Sequence, residues 1–168
     1  MAKRVIVIGA GASGMMAALV AAENGAQVML FEKNDRPGKK ILISGKGRCN
    51  VTTDKDTTEI INSFLHNGKF LYTALASFSN QQVKYFFEEA GVPLKVERGE
   101  RVFPVSDQAK DIVNALRRKL EAAGVDLWLN ATVKEVLYED GRAVGVLLPN
   151  DRKIDADCSR MHLLPIAK

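Results

Sequence analysis

Apolar and polar positions alternate along the chain with periods that name its elements. Residues Arg4 to Ile8 are a β-branched run without polar alternation, the pattern of a strand buried on both faces, as in a parallel sheet. From Ser13 to Asn24 the chain is rich in Ala, Met and Leu, with Gly25 where a left-handed helix cap belongs, and this predicts a helix. A second strand, Gln27 to Glu32, completes a βαβ unit. Asp35, Arg36, Pro37 and Gly38 read as a turn. The stretch from Lys39 to Thr53 is too Gly-rich for a long helix and too varied for a linker.

Helical spacing of apolar residues returns over Thr57 to His66, Lys69 to Phe78 and Gln81 to Ala90, with Gly68 and Gly91 as terminators, and so predicts a helical insertion. Val96 to Pro104 reads as a hairpin around Arg98, Gly99 and Glu100. Asp107 is placed to cap an amphipathic helix that runs to about Ala123. Val125 to Leu129, Thr132 to Glu139 and Ala143 to Leu148 read as strands, the last two joined through Asp140 and Gly141. No internal repeat or low-complexity tract interrupts this order.

The 168 residues, 46% hydrophobic and 26% charged, suffice for one core with a solvated surface. Two cysteines, Cys49 and Cys158, are too few for a disulfide framework, and no signal-like segment precedes the first strand, which favours a cytoplasmic setting. The apolar stretch from Val5 is broken by glycines and ends at Glu23, short of the roughly 20 uninterrupted apolar residues of a membrane span. A net charge of +4 is spread among nearly as many acids. With neither zinc-finger spacing nor an RNA-recognition aromatic signature, nucleic acid is not an expected partner. His66 and His162 are solitary, so no metal site is expected, and Trp128 in its apolar strand reads as core.

Gly9, Gly11 and Gly14 form G-x-G-x-x-G between the first strand and its helix. The three positions serve a tight turn, close backbone approach to a pyrophosphate, and close packing of helix on strand. The intervening Ala10, Ala12 and Ser13 line the turn, and the unpaired N–H groups of the helix start supply the anion site. Glu32 ends the second strand about 20 residues later, where an acid accepts hydrogen bonds from ribose hydroxyls and disfavours a 2′-phosphate. A dinucleotide site follows, with FAD or NAD as occupant and NADP least suited.

From Gly38 through Lys40, Ser44, Gly45, Gly47, Arg48, Cys49 and Asn50 to Thr52, the chain closely resembles the YhiN/BaiN-like flavoproteins, also called the aminoacetone oxidase family. Their segment G-[RK]-K-x-L-x-S/T-G-x-G-R-C-N-x-T is matched at every fixed position. Gly99 to Ala109 is similar to a second family stretch, G-R-V-F-P-x-S-D-x-A, with Glu100 inserted. The resemblance implies an α/β fold: a Rossmann-like FAD/NAD(P)-binding βαβ domain with a helical insertion and the start of a β-rich substrate domain. It implies FAD as cofactor and two-electron oxidoreductase chemistry on a small-molecule substrate, with NAD(P)H or oxygen as redox partner. Glu32 and Lys33 are implied at the adenosine ribose, Lys40 near the ribose or pyrophosphate, and Ser44 to Asn50 along the ribityl chain and flavin. Arg48 is open to two readings, an offset for charge on reduced flavin or an ordinary ion pair. Cys49 lacks a C-x-x-C partner and reads as a small buried residue rather than a catalytic thiol. No catalytic acid or base stands out.

Three segments follow from this reading: 1–124 as the FAD-binding region with its insertion, 125–157 as strands leading toward a remainder, and 158–168 as an atypical tail. Family members continue from the region of Lys153 to Asp157 into a buried strand ending A-T-G-G, which the residues from Ser159 do not match. The expectation is therefore a truncated chain that binds FAD weakly or is catalytically silent. Its open strand edges and apolar faces would favour self-association.

Overall fold

The computed structural model describes residues 2–157; the expected tail at 158–168 lies outside the described residues. The chain begins with β1 (Arg4–Ile8), α1 (Ala12–Glu23), β2 (Gln27–Phe31) and α2 (Lys39–Ile43). There follow β3 (Thr52–Thr53), α3 (Thr57–Asn62), α4 (Tyr72–Ser77), α5 (Asn80–Glu89), and the hairpin β4 (Leu94–Glu97) and β5 (Arg101–Pro104). It then passes through α6 (Ala109–Ala122), β6 (Asp126–Trp128), β7 (Glu135–Glu139), β8 (Arg142–Leu147) and β9 (Lys153–Asp155). Two compact units result among the described residues, one of residues 2–39 with 116–157, the other of residues 40–115. The strands after residue 124 thus share a unit with the chain's first 39 residues.

In the first unit β1, β2 and β6 form a parallel sheet in the order β1-β2-β6, with Val5 beside Val28 and Leu30 beside Leu127. The β-branched run of β1 suits this buried position. Helix α1 buries Gly14, Met15, Ala18 and Leu19, one stripe of a helix whose other face is open. It ends in a Schellman motif: Ala26 N–H donates to Ala21 O at 3.1 Å and Gly25 N–H to Ala22 O at 2.9 Å, with Gly25 at φ +83°. Antiparallel β7, β8 and β9 form a second sheet. Its Val146, with Leu148 and Ala156, packs in one core with Ile6 and Phe31 of the parallel sheet. Asp157 closes the unit on β1 by donating its N–H to Arg4 O at 2.9 Å and ion-pairing with the Arg4 guanidinium at 3.1 Å.

The second unit is built on the sheet β3-β5-β4. Capping boxes start α3 (Asp56 with Glu59) and α5 (Ser79 with Gln82), satisfying helix N–H groups that would otherwise lack partners. Buried Asn80 joins α5 to the sheet by donating to Thr53 O at 2.7 Å and Lys55 O at 2.8 Å. The expected helices at 57–66 and 69–78 shrink to α3, a 3-10 turn at Gly68–Leu71 and α4. Between them Asn67 takes φ +55°, which stops helical continuation. Phe64, Leu65, Phe70 and Tyr72 of this region are exposed, Leu65 at 94%.

Asp107 does not cap α6 as expected. It lies at φ +57° and its carboxylate is taken by Arg48 and Lys95. The strand expected from Thr132 begins only at Glu135, because the preceding residues turn back to the end of β2: Ala131 N–H donates to Glu32 O and Asn130 N–H to Asn34 O, both at 2.9 Å.

Candidate functional site

Each glycine of the β1–α1 turn meets a different physical demand. Gly9 adopts φ +96°, a backbone conformation that side chains rarely tolerate. A Cβ at Gly14 would stand 1.8 Å from Gly9 O, so only glycine lets α1 sit on the turn. Gly11 meets neither demand: its backbone is extended (φ −77°, ψ −177°) and a Cβ there would have nothing within 4 Å. The protein leaves open space at the one position where dinucleotide recognition asks for an unobstructed backbone. Gly11 is also the N-cap of α1, with no side-chain cap and no acid in the first turn. The first N–H groups of a helix have no intrahelical partners, and its dipole puts positive potential there. Ala12 and Ser13 are exposed at this end while Ala10 is buried behind it. These features fit an anionic pyrophosphate.

Glu32 is 8% exposed, the one buried acid among the described residues. One carboxylate oxygen accepts from Ala10 N–H at 2.8 Å and the other from Asn34 N–H at 2.9 Å and the Asn34 amide. The acid thus ties the end of β2 to the glycine turn. Asn34, which sequence reasoning missed, extends the chain by accepting from Lys39 Nζ at 3.0 Å. Its only local signal is its place two residues after the strand-ending acid. Gly38 N–H donates to Ala10 O at 2.8 Å, adding a second tie across the turn. Lys33 is exposed beside this cluster. Exposed Asp35 is held down to about 2 by the Arg36 guanidinium and, less, by Lys39.

Lys40 and the segment Ser44 to Asn50 belong to the second unit, where Lys40 is exposed on α2. The segment opens as a 3-10 turn whose Gly45 and Lys46 are left-handed, and Gly47 and Cys49 also take positive φ. Left-handed backbone is costly for Lys and Cys, so the loop needs ties. Cys49 N–H donates to Ser44 O at 3.1 Å, Ser44 Oγ to Ile41 O at 2.7 Å, and Val51 N–H to Val102 O at 2.8 Å. The Asn50 side-chain amide faces the carbonyl oxygens of Val102 and Thr52, an all-acceptor surrounding that assigns its nitrogen to that side, 3.2 Å and 2.9 Å from them. The Cys49 side chain is buried, and burial pushes its thiol up against a smaller opposing effect of the Ser44 hydrogen bond. A thiol so held is neutral and a poor nucleophile.

Arg48 makes the segment's longest-range ties. Its guanidinium pairs with Glu97 of β4 and with Asp107, 2.8 Å from Nε, and lies 4.2 Å from the Phe103 ring centroid. Lys95 joins the group at 2.7 Å from Asp107. Both acids lie below the usual carboxylate range, Glu97 chiefly through its hydrogen bond to Arg48 and Asp107 chiefly through Lys95 and then Arg48. Of the two readings of Arg48, the ion pair is what the structure displays.

The model of the HI0933-like protein Rossmann domain matches residues 3–161. The chain belongs to the HI0933-like family. This is the YhiN/BaiN group anticipated from Gly38 to Thr52, and the expected Rossmann-like fold and FAD as cofactor stand with it. The chain is 34% identical over 160 residues to the 3-dehydro-bile acid delta(4,6)-reductase of Clostridium scindens, covering 90% of this chain and 38% of that protein. It is 32% identical over 135 residues to the ribosomal RNA dihydrouridine synthase of Escherichia coli, covering 80% and 33%. The chain therefore spans little more than a third of these relatives. Among solved structures, the open conformation of a flavocytochrome c3 fumarate reductase superposes with a TM-score of 0.67 at 28% identity, covering 88% of this chain and 30% of that one. The 3-ketosteroid-delta4-(5alpha)-dehydrogenase of Rhodococcus jostii RHA1 shares the fold at 17% identity and the same TM-score, covering 91% and 43%.

Among the described residues no helix is long and apolar enough to cross a membrane. No group of three or more His, Cys, Asp or Glu side chains there could hold a metal.

Proposed function

We propose that this chain supplies the FAD grip of a flavin-dependent oxidoreductase acting on a small molecule. The observation that carries the reading is Gly11, a glycine that neither the fold's packing nor its backbone conformation requires. Gly9, Ala10, Gly11, Ala12, Ser13 and Gly14 would receive the pyrophosphate on backbone N–H groups at the α1 terminus. Glu32 and Lys33 would serve the adenosine ribose, Glu32 exchanging an Asn34 contact for a ribose hydroxyl. Following the family resemblance, Lys40 serves the ribose or pyrophosphate, and Ser44, Gly45, Gly47, Arg48, Cys49 and Asn50 form the segment for the ribityl chain and flavin. Bound FAD would supply two-electron redox chemistry, while the chain's residues bind and orient it. NAD(P)H or oxygen is the proposed redox partner, and the cytoplasm the proposed setting. Self-association belongs to the same proposal and is supported by exposed Phe64, Leu65 and Phe70.

The test replaces Gly11 with Val. Open space at that position predicts an unchanged fold by circular dichroism, while FAD affinity falls at least about tenfold, about 1.4 kcal/mol. Equal FAD uptake by wild type and Gly11→Val, or none by wild type, would overturn the reading. The reductase relative supports a small-molecule substrate, whereas the dihydrouridine synthase relative favours RNA as a second reading. Salt-sensitive retention of a ribosomal RNA fragment by the FAD-loaded chain would select the second.

A further inference from the structure

We propose that Arg48 is a positioning residue that locks the Ser44–Asn50 loop onto the β4–β5 hairpin, rather than a cation offered to the cofactor. The inference rests on the proposed placement of that loop at FAD. Three observations within the second unit carry it. First, the guanidinium is engaged by the protein: Nε donates to Asp107, Nη2 pairs with Glu97 and Asp107, and the Phe103 ring centroid lies 4.2 Å from it. Second, its charge is compensated, because Arg48 and Lys95 face Glu97 and Asp107 in one connected cluster, with Lys95 3.5 Å from Glu97 and 2.7 Å from Asp107. Arg101, across from Glu97 in the hairpin, adds a further cation 5.9 Å from the Phe103 ring centroid, but the Arg48 charge itself is paired directly with two carboxylates. Third, the backbone on either side is in the left-handed region, at φ +83° in Gly47 and +62° in Cys49. Glycine adopts it freely, but at Cys49 it persists only where surrounding structure over-determines it.

Arg48 is suited to this work because a planar fork can hold two carboxylates and stack on a ring at once, which an ammonium cannot. Phe103 also closes the loop from the other side, since a Cβ at Gly45 would stand 3.2 Å from its ring edge and 2.9 Å from Asn50 N. Hairpin, ring and loop therefore form one packed assembly, and the hairpin acts on the cofactor segment through Arg48.

Two roles for Arg48 predict opposite signs in one experiment on the 168-residue chain. A cation serving FAD directly would be unmasked in Glu97→Gln/Asp107→Asn, and anionic FAD would bind more tightly. A positioning residue would lose its anchors, so FAD would bind about tenfold more weakly, and amide exchange at residues 44–50 would quicken about tenfold in the FAD-free protein. Arg48→Lys keeps the charge without the fork. It should behave like the double variant, and it serves as the readout where the double variant fails to fold. Tighter FAD binding by the double variant, or wild-type exchange and affinity in Arg48→Lys, would overturn the proposal. If no variant and no wild-type sample takes up FAD, the cofactor placement fails on its own, and unchanged exchange at residues 44–50 still overturns the lock.

Discussion

The glycine turn after β1 and the Ser44–Asn50 loop are both glycine-rich backbone segments proposed to serve one cofactor, yet they are held in place differently. In the first, one steric contact and one buried acid set the geometry: Gly14 must lack a Cβ, and Glu32 gathers Ala10 and Asn34. In the second, left-handed backbone is flanked by an Arg48 tied about 50 to 60 residues away, to Glu97 of the hairpin and Asp107 in the turn after it. A backbone anion site built by packing needs no basic side chain. A loop of left-handed residues cannot hold itself, and charged groups that serve as its ties are withdrawn from the ligand.

The sharpest way to break this comparison is Gly14→Ala. With Gly9 O 1.8 Å from the new Cβ, helix or strand must move, and the expected loss is about 3 kcal/mol of stability by urea denaturation. Gly11→Val loses only the preference for Gly over Val at a helix N-cap and should cost about 1 kcal/mol or less in the same measurement, which separates the packing glycine from the glycine proposed for the ligand. Glu32→Gln comes next, because an amide has one acceptor oxygen for contacts that now use two, leaving a partly buried donor unmatched at about 2 kcal/mol. In the loop, Gly45→Ala puts a side chain at φ +55° with its Cβ 2.9 Å from Asn50 N and should cost at least about 1 kcal/mol, with faster exchange at residues 44–50.

The smallest effect expected is a pH dependence. Glu97 and Asp107 have folded-state values depressed below the ordinary carboxylate range. Their contribution is complete above the unfolded value and is lost as pH falls through the folded one. Exchange at residues 44–50, measured downward from pH 5 and corrected for the intrinsic rate, should hold steady at first and rise only as pH falls below the ordinary carboxylate range, where these two acids are protonated. Both acids are partly solvated, so the change is confined to the loop. Loop exchange that does not respond to acid would remove the two carboxylates from the account.

Much of the fold was legible because its signals are local. Arg4 to Ile8, the glycine spacing and Gly25 specify β1, the turn and α1 within one stretch of chain, and all three stand in the structure. Asp107 shows the limit. Its position before an amphipathic helix satisfies the rule for a cap, but its carboxylate is taken by Arg48 and Lys95. Asn34 and Asn50 were equally illegible in these roles, since a polar residue after a strand or in a Gly-rich loop carries no mark of the partner it will meet.

The sequence by itself determined the βαβ unit, the glycine demands at positions 9 and 14, and the family, through the run from Gly38 to Thr52. Tertiary structure alone decided that residues 40–115 form a unit of their own, while the strands after residue 124 join the first 39 residues and share a core from Ile6 to Ala156. It also decided that the Arg48 guanidinium pairs with Glu97 and Asp107. Backbone preference and periodicity act over one or two turns of chain, whereas an ion pair or a shared core depends on which distant residues the fold brings together.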